Sequence, residues 1–318
     1  MELQVLILNL LRKFYKKEPF AVFNGYVNYF GQEANDFMFQ RLQEGKPIMA
    51  AKFGTVELGV VEAFETREHI RVREYFQDYM KGKISLYNKE VLKGLCSNAG
   101  FFPNDINFGK KYFHLMKEDM KEIDILCSYI YGEKCVSGYL DCKRVDLDGF
   151  YAPFMWKNPW TKILKDKKVL VVHPFVDSIR YQYENNRTKL FENPDVLPKF
   201  KELLTVKAVQ TIADQKDERF ETWFDALDYM KDEISKLDFD IALIGCGAYG
   251  MCLAAHVKRM GKQAVHLAGW TQMLFGVYGS RWLKDQPQYS KFINDYWIRP
   301  LESEKPKGAE KVENGCYW

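Results

Sequence analysis

Paired cysteines are what this chain most conspicuously lacks. Its seven cysteines, Cys96, Cys127, Cys135, Cys142, Cys246, Cys252 and Cys316, are odd in number and scattered, with no Cys-x-x-Cys. Cys135 and Cys142 lie close together but have no histidine or second pair at zinc spacing, so free thiols in a reducing cytosol are expected. A surplus of one charge is missing too. With 46 Lys and Arg against 43 Asp and Glu, there is no global basic field, and no nucleic-acid partner is expected. Internal repeats and low-complexity tracts are absent. So is a run able to cross a bilayer: the apolar part of MELQVLILNLLRKFYKKEPF is too short. Its charge order opposes a signal peptide, because Glu2 precedes the apolar residues and Arg12, Lys13, Lys16 and Lys17 follow them. Residues 1–32 are expected to form an amphipathic helix and a connection, packed on the body or on a second subunit of a homo-oligomer. The basic end also suits a peripheral contact with anionic lipid, which would set a cytoplasmic protein at the inner face of the membrane.

What is present centres on Asp240 to Gly250, which reads as a buried strand, a Gly-x-Gly-x-x-Gly turn and a helix starting near Met251. In such a turn, glycines let backbone N–H groups approach a diphosphate, and the helix N-terminus adds about half a positive charge. The plainer alternative is tight strand-to-helix packing. A dinucleotide site would place Asp or Glu at the end of the next strand, but Gln263 to Leu267 runs into Ala268-Gly269-Trp270-Thr271-Gln272. That missing carboxylate counts against NAD and against S-adenosylmethionine, and leaves open a nucleotide diphosphate whose ribose is held elsewhere.

Strand and helix patterns alternate along the chain. Strands are expected at Pro47–Phe53, Ile123–Tyr129, Lys168–Pro174, Leu204–Ile212, Phe239–Ile244 and Gln263–Leu267. Helices are expected at Glu33–Gly45, from Thr55 to about Glu65, at Lys89–Ser97, Ile106–Glu122, Val176–Arg187 and Arg219–Lys236, while Lys134–Trp160 shows no period. This order predicts an α/β, Rossmann-like fold with a mostly parallel sheet and helices on both faces. Residues 33–318 are expected to form one domain, with 33–160 and 161–318 as its lobes.

Ligands of such sheets sit beyond the carboxyl ends of the strands. The strand ends here offer Lys52, Gly54 and Thr55 with Glu57, then His173-Pro174, Ala213-Asp214, Gly245 to Gly250, and Ala268 to Gln272. One carboxylate near a helix start, an imidazole, a lysine and backbone donors suit phosphate chemistry. Glu57 equally suits a helix first turn, and His173 a backbone hydrogen bond. Lys52 closes an apolar strand, where an ammonium needs an anionic partner, either Glu57 or a ligand phosphate. The aromatic tail Lys305 to Trp318 is expected to dock on the body or a neighbour.

Three stretches together, KFGTVEL, VLVVHPFVDSI and LIGCGAYGMCLAAHVKRMGKQAVHLAGWTQMLFGVYGSRW, resemble the bacterial GT-D-type glycosyltransferases over about residues 37–318. The most specific element is Gly269, Thr271, Gln272, Leu274, Phe275 and Gly276. The resemblance implies transfer of a sugar from a nucleotide-diphosphate sugar to a glycan acceptor hydroxyl, in surface polysaccharide or glycan assembly. It also implies an Asp-x-Glu whose carboxylates hold a divalent metal, manganese or magnesium, and here those positions read Thr55-Val56-Glu57. On this reading Gly245, Gly247 and Gly250 with Lys52 hold the diphosphate, and Glu57 with Thr55 holds the metal or the sugar. Arg281 offsets leaving-group charge, and His173 or Asp177 assists the acceptor; Gly54, Tyr249, Gly269, Thr271 and Gln272 complete the donor site. The alternatives are a nucleotide-sugar-binding protein without turnover and an NAD-linked oxidoreductase.

Overall fold

In this computed structural model the described residues are 7, 10–14, 27–69, 72–81, 91–213, 215–312 and 315–318. Seven strands form among them: β1 (Ile48–Lys52), β2 (Ile125–Cys127), β3 (Lys143–Val145), β4 (Lys168–His173), β5 (Glu202–Lys207), β6 (Ile241–Ile244) and β7 (Gln263–His266). They make one sheet in the order β3-β2-β1-β7-β6-β4-β5, with every neighbouring pair parallel. Because β1 pairs with β7, Ala50 opposite Val265, the sheet runs unbroken from residues 33–160 into 161–318.

The apolar runs explain the sheet's interior. Every residue of β1, β6 and β7 is buried, as expected when helices cover both faces of a parallel sheet. Alternate residues serve opposite faces. Met49, Ala51, Leu170, Val172, Ala242 and Ile244 join a core under the helices Thr55–His69, Val91–Ala99, Ile106–Asp119, Trp223–Ser235 and Gly250–Arg259. Ile48, Ala50, Val169, Val171, Ile241 and Leu243 face the other way, into a core with the helices Gly31–Gln43, Leu147–Tyr151, Val176–Asn186 and Trp270–Leu274. The expected α/β architecture with helices on both faces is therefore present.

Local chemistry sets the boundaries. The helix expected from Arg219 starts at Trp223, because Thr222 Oγ1 accepts from Asp225 N–H and Asp225 Oδ2 accepts from Thr222 N–H at 2.8 Å, a capping box. Strand β5 begins earlier than expected and stops at Lys207, after which Ala208 to Thr211 turn across the sheet end. Within the stretch read as irregular lie the edge strand β3 and a short helix capped by Asp146, whose Oδ1 also accepts from Gly31 N–H at 2.9 Å. Three residues, two of them charged and outside the core, carry too little pattern to announce a strand, and they suit an exposed edge. Most of the N-terminal segment and Asp214 lie outside the described residues. No helix among the described residues is long and apolar enough to cross a membrane.

Candidate active site

Strands β4 and β6 are neighbours, yet β4 leads outward to β5 and β6 leads back to β7, so their carboxyl ends diverge. A crevice opens at such a switch point. It forms a cavity of about 320 Å³ whose wall continues past the ends of β7, β1 and β2. Among the residues singled out from sequence, Lys52, Gly54, Thr55, Glu57 and His173 line it. Gly245, Gly247, Tyr249, Gly269, Gln272 and Arg281 line it as well. Gly250, Thr271 and Asp177 do not.

Lys52 ends β1 and is 8% exposed. Its ammonium meets neutral groups: Nζ donates to Tyr129 Oη at 3.2 Å and to Phe53 O at 3.4 Å, and lies 5.1 Å from the Tyr129 ring centroid. Burial works to lower its pKa, but the fields of Tyr129, Cys127 and Glu57 outweigh it, so the pKa is raised and the charge stays. A buried cation with no carboxylate in contact is costly to keep, unless an anion arrives. Arg281 adds a second cation at the rim, with Nη1 3.0 Å from Tyr317 Oη. Against these two stands Glu57, the one side-chain carboxylate on the wall among the described residues. Its side chain folds back over Gly54, where any Cβ would collide with it.

The glycine turn divides its work. Gly247 takes φ +56°, and a Cβ there would lie 2.7 Å from Ala99 O; a side chain would be strained as well as crowded. Gly245 allows the exits of β6 and β7 to touch, since a Cβ would collide with Ala268 O. Gly250 instead accepts the His266 ring against its Cα and sits under the cavity floor. For the third glycine, then, the packing alternative is the one that applies. Thr271 is likewise a support: its Oγ1 donates to Ala268 O at 2.9 Å, fixing a residue held at φ +52° on the wall.

His173 is placed on the wall but not as a base. Its Nδ1 accepts from Phe175 N–H at 3.0 Å, leaving the proton on Nε2. Burial drives its pKa down to about 3. The ring is thus a neutral hydrogen-bond donor near neutral pH. Asp177, the other expected acceptor assistant, points outward and pairs with Lys207 at 3.3 Å, both more than half exposed. The first-turn amides of its helix are already occupied: Glu304 accepts from Asp177 N–H at 2.8 Å, from Ser178 N–H at 3.0 Å and from Ser178 Oγ. An anion-binding helix start is thereby filled by the protein's own carboxylate.

Sequence reasoning placed Gln272 and Tyr249 at the donor site but did not place Gln286 or Trp318 there. Tyr249 lines the wall with its ring stacked on Trp223 at 4.9 Å. Gln272 Oε1, Gln286 Oε1 and Trp318 Nε1 are buried and make no hydrogen bond with a described residue, and all three residues line the cavity. Such atoms cost about 1–3 kcal/mol each when left unsatisfied, so this wall is built for a polar ligand. The tail docks as expected: Ser280 N–H donates to Trp318 O and Arg281 N–H to Cys316 O, each at 2.9 Å, which brings Tyr317 and Trp318 to the cavity. Only the aromatic content of the tail signalled this. Tyr129 and Gln286 gave no signal.

The donor set offers little to a resident metal. Among the described residues no group of three or more His, Cys, Asp or Glu converges to hold one. Glu57 and the exposed Thr55 fit, at most, an ion that takes its remaining ligands from a diphosphate and water.

No family model and no curated protein matches the chain. Among solved structures, one described as the selenomethionine-substituted structure of domain of unknown function 1792 aligns over 94% of this chain and 96% of that chain, at 10% sequence identity and a TM-score of 0.34. A likeness of that order carries no functional argument.

Proposed function

We propose that this protein is a glycosyltransferase that takes a sugar from a nucleotide-diphosphate donor. The observation that carries the proposal is Lys52, a buried ammonium at a strand end that meets only neutral oxygens beside a cavity. A diphosphate supplies the missing negative charge, and the turn residue Gly247 lines the same cavity, while the Gly245 N–H is already given to Val172 O at 2.9 Å. Glycosyl transfer passes through an oxocarbenium-like state while the diphosphate departs. Lys52 and Arg281 stabilise that departing charge, an electrostatic role fixed before the reaction begins. Glu57 takes the proton of the acceptor hydroxyl, worth about 10²–10⁴-fold in rate. His173 donates from Nε2 to the substrate. Were a divalent ion bound with the donor, Glu57 would be the side-chain carboxylate to hold it, and the ion would neutralise diphosphate charge. The motif resemblance from KFGTVEL to the Thr271-Gln272 element supports the same reading.

The test is a thermal-shift screen of uridine, guanosine, cytidine and thymidine diphosphate sugars, with NAD as comparison, with and without manganese. At least one nucleotide sugar is expected to raise the melting temperature, and NAD is not. Silence from all four classes contradicts the proposal. Binding without turnover is favoured by the loss of both sequence-expected acceptor assistants from the base role. Product formation that falls in Glu57→Gln while affinity persists decides for catalysis.

A further inference from the structure

A second concave site lies back to back with the cavity. Pro174, Ala208 and Gln210 form walls of both, and beyond them a groove of about 260 Å³ is lined by Lys207, Lys216, Lys305 and Lys307. Only Lys207 has an acidic partner among the described residues, Asp177 at 3.3 Å. Lys216, Lys305 and Lys307 have no ion pair with a described residue. The one carboxylate lining the groove, Glu304, forms no ion pair with them; its oxygens accept from Asp177 N–H, Ser178 N–H and Ser178 Oγ. Three ammonium groups without an ion pair to a described residue, set in a concavity against the single charge of Glu304, leave a net positive local potential that attracts multiply charged anions.

We infer that this groove binds a phosphate group borne by the acceptor, holding it beside the donor cavity so that its hydroxyl reaches in past Gln210. The inference rests on the proposed donor cavity for the word acceptor, while the anion site stands on its own residues. The groups facing the phosphate from the packed elements are Lys207 at the end of β5, Lys216 in the loop beyond it, and Lys305 and Lys307 in the C-terminal segment. Asp177 holds Lys207 from the helix after β4. The carboxylate of Glu304 remains turned to that helix.

The test is calorimetric titration at low salt of inorganic pyrophosphate, glucose 1-phosphate and glucose into the full chain, its Lys52→Met variant and its Lys305→Ala/Lys307→Ala variant. Pyrophosphate is expected to show two binding events. The double variant weakens one at least tenfold, Lys52→Met weakens the other, glucose 1-phosphate occupies the groove, and glucose does not bind. Unchanged pyrophosphate binding in the double variant overturns the inference. Pyrophosphate without glucose 1-phosphate in the groove makes it a site for a free inorganic anion, which overturns the acceptor assignment. If Lys52→Met keeps both events while the double variant loses one, the groove stands and the donor reading falls. Lys305→Glu with Lys307→Glu repeats the comparison with reversed charge, and melting temperatures within a few degrees of the parent exclude unfolding as the cause.

Discussion

The Glu304 carboxylate accepts the backbone N–H of Ser178 at 3.0 Å, although 126 residues separate them in sequence. It closes the helix after β4 to outside anions and leaves the cavity beneath β1, β6 and β7 as the place where one is wanted. Glu304→Gln removes the charge from a buried acceptor of two amides and a hydroxyl. A loss of about 2 kcal/mol is expected, read as a lower urea midpoint with an unchanged slope. An unshifted midpoint contradicts the capping role.

The packing role of the third glycine makes a contrast with the second. Gly250→Ala sets a methyl against the enclosed His266 ring, an overpacking worth about 1–3 kcal/mol, against which the helix gain of about 1 kcal/mol is smaller. Diphosphate affinity is expected to stay within about threefold. Gly247→Ala strains a φ of +56° on the cavity wall, at about 1–2 kcal/mol, and lowers affinity as well as stability. Equal effects of the two on binding would sink the division of roles.

Two buried histidines set the acid limb of stability. His173 and His266 have folded pKa values held down to about 3, chiefly by burial. The unfolded chain, with histidines near 6.5, binds more protons between these values. Their contribution is therefore complete above about pH 6.5 and is lost as pH falls toward 3, with a slope of about 1.4 kcal/mol per pH unit for each. Unfolding free energy measured from pH 4 to 8 should show that slope, and His173→Gln should remove one histidine's share. A pH–rate profile of the wild type should carry no limb near 6.5 from His173.

Much of this was legible because the strands of a doubly covered sheet are continuous apolar runs. Ile48–Lys52, Lys168–His173 and Ile241–Ile244 announce themselves, and the strand-end rule then points to Lys52, Glu57, His173 and Gly245. The direction a side chain takes is not written in that rule. Asp177 stands in the first turn after β4, as expected, but faces Lys207. His173 reaches the wall with its basic nitrogen already engaged by Phe175 N–H. Tyr129 and Gln286 matter only through neighbours brought close by the sheet order and the docked tail. Strand β3, carrying Lys143 and Arg144 at an edge, has no apolar run to read.

On the proposed function, Lys52 waits for a diphosphate. Lys52→Met keeps most of the side chain's bulk and removes a buried charge that meets no carboxylate among the described residues. Titration of uridine, guanosine, cytidine and thymidine diphosphates into both proteins, beside their thermal unfolding, is the direct measurement. If Lys52 holds the diphosphate, the nucleotide bound best by the parent loses about 10–100-fold in affinity, the worth of a charge-assisted contact, while the melting temperature holds or rises. Undiminished affinity in Lys52→Met would contradict it.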